Sequence, residues 1–591
     1  MSNFPLRVLL NLTDQKFADN VENLCAQVTA AGANIDVQHN LSANSLLDLI
    51  SSLLPHEQVA VIDQGLITGQ AMIDALIKEQ WSTSAALVKP SAGNDGNFNS
   101  RVIHKRVVSA ATIEHYVTKP THTMLGFLRI GIDEKSRAAV QQARDYCTGM
   151  LREINVGDLI TVALVRSGAP VVAIGITGVC ERASSPDELA NAKQELVNQD
   201  EIDIRMRRAL RADDGFYSTF VLRKISPIVT KFAIKKNWTP NQITVTSLIV
   251  ALVVALFFAT GWWPLMILGA IGVQASIIID CADGEVARFT GVSSQRGAWL
   301  DAATDRIKEY ALYAGLAFGA SHHGMNLWPL AMGVMVLQTV RHISDYNFNA
   351  VQVIRESAVL PQPLINRIDS GVISNGALLE ASAQLNSNSK VRWLKKVIHF
   401  PIGERWLVIS LAAFFNAPAI ALWSLLGFGL IGIFYTTVGR VLRSKNWNHP
   451  RAISGSEVLA RQINPGLGVE WFWSDDSMPF ANRFAWSVPA ILRLFELGLV
   501  LAVAHRYPIA YLWIFAIAFH HYDTLYRALA GFEIPANIKS QGLGFLGRSL
   551  IIVLAALGFV FSLETTLWLG GIIFSALFVG YASKLWLQEV K

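Results

Sequence analysis

The 591-residue chain is 52% hydrophobic and 16% charged, with a mean hydropathy of +0.35. This composition excludes a disordered or fibrous chain and points to a polytopic membrane protein with length to spare for a soluble domain. The net charge of +5 is modest and its basic residues gather beside apolar runs, which argues for anionic lipid headgroups and against nucleic acid; four cysteines without a CxxC pair exclude a disulfide or zinc framework.

From Leu6 to about Gly175 the β-rich runs LRVLLNL, VAVID, SAALV, TMLGFLRIG, ITVALVRS and PVVAIG alternate with amphipathic stretches such as Ala18 to Ala31 and Glu134 to Arg152. The pattern predicts a soluble α/β domain over residues 1–185. The charged start leads into strand-like residues, so no signal peptide is expected. No Gly-rich phosphate loop follows the first strand, and SAGNDGN at 91–97 reads as a turn. Asp63, closing VAVID, stands where a strand end can present a metal ligand, although a cap or turn role explains it more simply.

Residues 186–238 read as a linker: a charge-dense helical part from Pro186 to Arg211, then a basic amphipathic helix from Phe216 to Lys236 suited to lie on a membrane and bent at Pro227. Thr239-Pro240-Asn241-Gln242 is a helix-entry signal.

Ten apolar spans follow, near 242–260, 263–282, 298–319, 326–347, 404–417, 418–438, 483–504, 508–527, 546–563 and 566–586. Basic loops before the first, after the second and after the sixth place the N-terminal domain and the C-terminus in the cytoplasm. Between the fourth and fifth, residues 349–403 form a long cytoplasmic insertion.

Within the second and third spans lies DCADGEVARFTGVSSQRGAWLDAATD, residues 280–305. Asp280, Asp283, Gly284 and Ala287 fall on one helical face, and Gly297, Asp301 and Asp305 on one face of a second helix; the turn-like segment 290–296 would bring the two faces together. Unpaired carboxylates among apolar segments cost several kcal/mol, so the cluster calls for a cation. An all-oxygen ligand set favours Mg²⁺ or Mn²⁺ over zinc. The small residues leave room for a ligand, and Arg288 offers a fork for phosphate. Helix caps and surface charges are the competing explanation, weak for a whole set between apolar spans. Cys281 reads as a packing residue.

The stretch resembles the CDP-alcohol phosphotransferase (CDP-alcohol phosphatidyltransferase) family, whose signature D-x-x-D-G-x-x-A-R-x(8)-G-x-x-x-D-x-x-x-D is matched at Asp280, Asp283, Gly284, Ala287, Arg288, Gly297, Asp301 and Asp305. The resemblance spans roughly 239–440, a six-helix membrane domain. It implies transfer of a phosphoalcohol from a CDP-linked donor, CDP-diacylglycerol or a CDP-polyol, to the hydroxyl of an alcohol or lipid acceptor, with release of CMP. It also implies two metal ions held by Asp280, Asp283, Asp301 and Asp305, with Asp305 as the general base. Asn241, Gly284, Ala287, Arg288 and Gly297 would bind the donor nucleotide, and Arg306, Glu309 and Arg341 are candidates for the acceptor. Lys308 could contact the acceptor too; Arg306, Lys308 and Glu309 could equally be inter-helical ion pairs or snorkelling residues, and Arg341, His342 and Asp345 are better explained as an interface anchor. A catalytically silent scaffold or CDP-nucleotide sensor is the alternative.

The N-terminal domain is distantly similar to nucleotidyltransferase domains, which the missing phosphate loop implies to be non-catalytic here. Residues 441–591 extend past the family core as a membrane extension, suited to a homodimer interface or an acceptor pocket. In it, Arg493 and Glu496 should pair, while His520, His521 and Asp523 are a possible metal set better explained as interface residues.

Overall fold

The computed structural model describes all residues except 1–5, 80–82, 92–97, 149–153, 211–214, 293, 357–358, 360, 370–388, 446, 448–455, 464–482, 533–534 and 590–591. The expected turn at 91–97, apart from Ser91, and residues 357–358, 360 and 370–388 of the long insertion thus lie outside the described residues. The chain divides into two compact units, residues 1–209 with 356–375, and residues 210–355 with 376–591.

The first unit is built on the strands β1 (Leu6–Leu12), β2 (Asn34–His39), β3 (Gln58–Ile62), β4 (Leu66–Thr68), β5 (Ser84–Pro90), β6 (Asn99–Ile103), β7 (Arg106–Ala110), β8 (His122–Arg129), β9 (Val171–Gly175) and β10 (Cys180–Arg182). Eight of them form one mixed sheet, ordered β2-β1-β3-β8-β5-β9-β7-β6. Its helices are α1 (Ala18–Ala30), α2 (Ala43–Leu53), α3 (Gln70–Lys78), α4 (Glu134–Cys147), α5 (Val156–Arg166), α6 (Pro186–Val197) and α7 (Glu201–Ala209). Both sheet faces are covered, since successive strand residues such as Leu9 and Leu10 are buried in separate cores.

The run ITVALVRS, expected as a strand, is helix α5. Asn155 caps it by accepting from the Asp158 amide, and the helix is buried on nearly every side, so its apolar run shows no period that would separate helix from strand. The four cysteines are free. The charged helices α6 and α7 pack within this unit, where Glu201 accepts from the Ala71 amide at 2.8 Å and Arg205 pairs with Asp74.

Residues 361–369 also dock here. The Tyr116 amide donates to Arg367 O at 2.8 Å, Arg101 pairs with Asp369 at 2.7 Å, and His115 Nε2 donates to Leu364 O at 2.8 Å.

The second unit is helical: α8 (Arg223–Lys235), α9 (Pro240–Ala259), α10 (Trp263–Thr290), α11 (Gln295–Ser321), α12 (Trp328–Glu356), α13 (Ser389–His399), α14 (Ile402–Phe414), α15 (Pro418–Ser444), α16 (Ser456–Ile463), α17 (Val488–Ala504), α18 (Ala510–Ala530), α19 (Ala536–Gln541), α20 (Gly544–Ala556) and α21 (Leu563–Glu589). The Thr239 side chain and Gln242 form a reciprocal capping box at the start of α9. Pro227 lies inside α8.

Five helices among the described residues are long and apolar enough to cross a membrane: α9, α10, α15, the stretch Ala485–Ala504 and α21. A sixth span arises if α13 and α14, bent by 66° at their junction, count as one. Of the ten spans expected, these five or six meet the measure of length and composition among the described residues. Helices α11, α12 and α18 carry buried charges such as Lys308, Arg341 and Arg527, and α20 has 13 residues, too few for a bilayer core. Those charges are met inside the protein. Glu309, for example, accepts from Arg405 Nε at 2.6 Å, Tyr313 Oη at 2.7 Å and Arg306 Nη1 at 2.8 Å.

Candidate active site

Helices α10 and α11 meet at a tight reversal. Gly291 ends α10 at φ 71°, a left-handed value that glycine adopts without a Cβ clash, and Ser294 caps α11 by accepting from the Gly297 amide at 2.9 Å. The reversal turns the two acidic faces toward one another. Asp280, Asp301 and Asp305 each offer a carboxylate oxygen within 4.8 Å of the others, and this is the group of potential metal-binding residues found among the described residues.

Asp283 is held differently: Thr244 Oγ1 donates to its Oδ2 at 2.6 Å, and its Oδ1 accepts from the Gly284 amide. Asp280 accepts from Ser247 Oγ at 3.1 Å. The Lys308 ammonium, fully buried, contacts Asp280, lies 2.9 Å from Asp305 Oδ1 and donates to Ser247 Oγ at 3.0 Å. The signature does not specify Lys308, Thr244 or Ser247. Thr244 and Ser247, at i and i+3 in an otherwise apolar span, were readable as one polar face.

The small residues sit where space is short. A Cβ at Gly284 would come within 3.0 Å of Arg288 Nη1, and one at Gly297 within 3.4 Å of Asn241 Oδ1, so Arg288 lies over Gly284 and Asn241 lies beside Gly297. Ala287 occupies the same helix as Gly284, one turn on.

Glu285 went unremarked in the sequence. It is fully buried and accepts from Arg223 Nη1 at 2.7 Å, Ser226 Oγ at 2.5 Å and Thr230 Oγ1 at 2.5 Å. Helix α8 thereby grips α10 with its polar face while Ile225, Ile228 and Phe232 remain exposed. An outward apolar face suits the bilayer surface.

The acceptor candidates have partners of their own. Arg306 pairs with Glu309, and Glu309 also accepts from Arg405. Arg341 contacts His399 Nδ1 at 3.0 Å and Phe400 O at 3.4 Å. In the extension, Arg493 comes within 3.9 Å of Glu496, whose other partners are His521 and Arg548, each at 2.7 Å. His520, His521 and Asp523 are buried rather than at an interface, and Asp523 accepts from two tryptophans.

In the first unit, Asp63 accepts from Arg182 Nη2 at 2.7 Å, Asn155 Nδ2 at 2.7 Å and the Gly65 amide at 2.8 Å. Its carboxylate is occupied by structural bonds. Arg182 also binds Asp158 through both carboxylate oxygens, and burial pushes the Asp158 carboxyl up to about 6 against the pull of that guanidinium.

A 136-residue stretch is 32% identical to the bifunctional IPC transferase and DIPP synthase of Aquifex aeolicus, covering 22% of this chain and 28% of that protein. A 126-residue stretch is 31% identical to the phosphatidylinositol phosphate synthase of Mycolicibacterium smegmatis, covering 21% of this chain and 54% of that one. The chain thus spans about a quarter to half the length of these relatives. Among solved structures, the inositol-1-phosphate CTP transferase from T. maritima matches at 11% identity and a TM-score of 0.23 over 32% of this chain and 80% of that one. Residues 475–589 match a family of unknown function. Residues 237–387 match the CDP-alcohol phosphatidyltransferase family model.

Proposed function

We propose that the chain is an integral membrane transferase that moves a phosphoalcohol group from a CDP-linked donor to an acceptor hydroxyl and releases CMP. The observation that carries this reading is the convergence of Asp280, Asp301 and Asp305 within 4.8 Å at the α10–α11 reversal. Oxygen-only ligands at that spacing fit a hard divalent cation, Mg²⁺ or Mn²⁺, with Asp283 as the fourth ligand once a second ion is bound. Bound there, the ions would neutralise the donor pyrophosphate and polarise the phosphorus under attack.

In this reading the chain's own groups do the rest. Asn241 and Gly297 border the donor nucleotide and Arg288 steadies its phosphate. Asp305 accepts the proton of the acceptor hydroxyl as that oxygen bonds to the donor's alcohol-linked phosphorus. The bridging P–O bond breaks and its electron pair leaves with CMP. Lys308 holds Asp305 and Asp280 in place before substrate arrives. Arg306, Glu309 and Arg341 are already paired, so their contribution to the acceptor would be to shape the wall of its pocket.

The names of the relatives make an inositol phosphate the first acceptor to try, with CDP-diacylglycerol as donor. The first unit acts without catalysis, because Asp63 is consumed by Arg182, Asn155 and Gly65. The N-terminal domain and the acid cluster face the cytoplasm, following the basic loops. The protein works as a homodimer in contact with membrane lipids.

The test is CMP release by the lipid-reconstituted full chain with Mg²⁺ or Mn²⁺, using CDP-diacylglycerol or CDP-polyol donors and a panel of acceptors. Metal-dependent release abolished by Asp305→Asn supports the transferase. Tight metal-dependent CDP binding without release from any pair would replace it with the sensor.

A further inference from the structure

Helix α11 has two opposed faces. Asp301, Asp305 and Lys308 line one, beside Asp280 of α10 and Ser247 of α9. Trp299, Ala303, Arg306 and Tyr310, at i, i+4, i+7 and i+11, line the other and are all buried.

Helix α18 of the C-terminal extension backs this second face at three levels. The Trp299 indole donates to Asp523 Oδ1 at 3.0 Å, and the Trp586 indole of α21 donates to the same oxygen at 2.8 Å. The two indoles stack with centroids 5.3 Å apart, and Arg527 Nε donates to Asp523 Oδ2 at 2.8 Å. Two turns further along α11, the Arg306 guanidinium stands 5.5 Å over the Tyr522 ring. Beyond it, the Tyr511 hydroxyl donates to the Tyr310 carbonyl at 2.7 Å. The grip runs from residue 299 to 310, roughly 16 Å of helix at 1.5 Å per residue.

We propose that the C-terminal extension serves as the backing element of the reaction centre, with Asp523 as the positioning residue that sets Asp301 and Asp305 through Trp299. The proposal rests on the transferase reading above. Apolar packing alone leaves a helix free to rotate slightly about its axis, whereas a buried carboxylate satisfied by two indoles and a guanidinium has one geometry and is costly to disturb. Trp299 precedes Asp301 by two residues, so the bond fixes α11 where its carboxylates begin. A rotation of about 20° would carry a carboxylate some 6 Å from the helix axis through about 2 Å. A misplacement of about 1 Å is enough to lower a rate on the order of 10²-fold.

The test uses the full chain in lipid nanodiscs with Asp523→Ala, Asp523→Asn and Trp299→Phe. Mn²⁺ affinity is read by electron paramagnetic resonance without substrate, and kcat and KM are read from CMP release. Asp523→Ala and Trp299→Phe should weaken Mn²⁺ binding and lower kcat by about 10²-fold while leaving the donor KM in place. Asp523→Asn keeps Oδ1 as acceptor for both indoles but turns an NH2 donor toward Arg527 Nε, and should restore both only in part. A folded Asp523→Ala variant that binds Mn²⁺ and turns over like the parent overturns the proposal. If Asp523→Ala fails to fold, Trp299→Phe decides, because it keeps an aromatic side chain and removes the indole donor. If the parent releases no CMP, the transferase reading fails, and the Mn²⁺ affinities still decide whether Asp523 positions the cluster.

Discussion

The Lys308 ammonium lies 2.9 Å from Asp305 Oδ1, one helical turn along the same helix, and reaches Asp280 on the neighbouring one. A fully buried cation thus stands inside the carboxylate cluster and offsets part of its charge when no metal is bound.

Replacing Lys308 with Met should therefore make folding depend on metal. Removing one partner of a buried ion pair costs about 3–5 kcal/mol. A divalent ion at 100 times its Kd returns about 2.7 kcal/mol. Thermal denaturation in detergent should show a larger rise in Tm from EDTA to Mg²⁺ for Lys308→Met than for the parent; equal rises would refute the role.

Glu285→Leu should release α8 from α10. The carboxylate satisfies Arg223, Ser226 and Thr230 at once, and its loss leaves a guanidinium and two hydroxyls without their acceptor. A loss of about 3–5 kcal/mol is expected, with faster amide exchange across 223–235 as the direct readout. Unchanged exchange there would mean that apolar contacts hold α8.

Docking of residues 361–369 should weaken in acid. His115 is buried as the neutral Nε2–H tautomer, donating to Leu364 O and accepting at Nδ1 from Thr112 Oγ1 at 2.7 Å. Burial lowers its pKa from 6.5, the Leu364 bond raises it in part, and Arg166 lowers it further while Glu114 opposes. A base whose folded pKa is depressed contributes stability that is present above the unfolded value of 6.5 and is lost as pH falls below it toward the folded value. Amide exchange at 361–369, corrected for the intrinsic rate, should rise below pH 6.5, and His115→Asn should remove that pH dependence. Arg166, Glu114 and Arg101 face the same segment, through the carbonyls of Pro363 and Asn366, Arg367 and Asp369 respectively, and Tyr146 stands against the His115 ring, so persistence of the effect in His115→Asn would assign it to them.

Asp63→Ala should separate stability from activity. Arg182 would keep Asp158 and lose its other carboxylate partner, a cost of about 1–3 kcal/mol read as a lower Tm. CMP release should stay at the parent rate. A proportionate loss of activity in protein that remains folded would instead make the first unit part of the chemistry.

Legibility followed periodicity. The carboxylates at 280–305 could be placed on two faces because i, i+3 and i, i+4 spacing fixes direction within a helix. The capping box at Thr239 was likewise local. Helix α5 was not legible as a helix, because a run buried on all sides has no polar face to reveal its period. Helices α11, α12 and α18 have the length of bilayer spans but not the uninterrupted apolar composition, because their charges are absorbed by partners distant in sequence, such as Glu309 with Arg405.

The sequence by itself determined the two-part organisation, the turn at 290–296 and the spacing of the four aspartates, since each depends on composition, dihedral preference or local helical period. Only the tertiary structure decided that Lys308 enters the cluster, that Asp283 turns to Thr244, and that Asp523 meets Trp299 across 224 residues. Those pairings join separate helices, and a buried charge takes whichever partner packing brings within hydrogen-bond reach, a distance that no local pattern encodes.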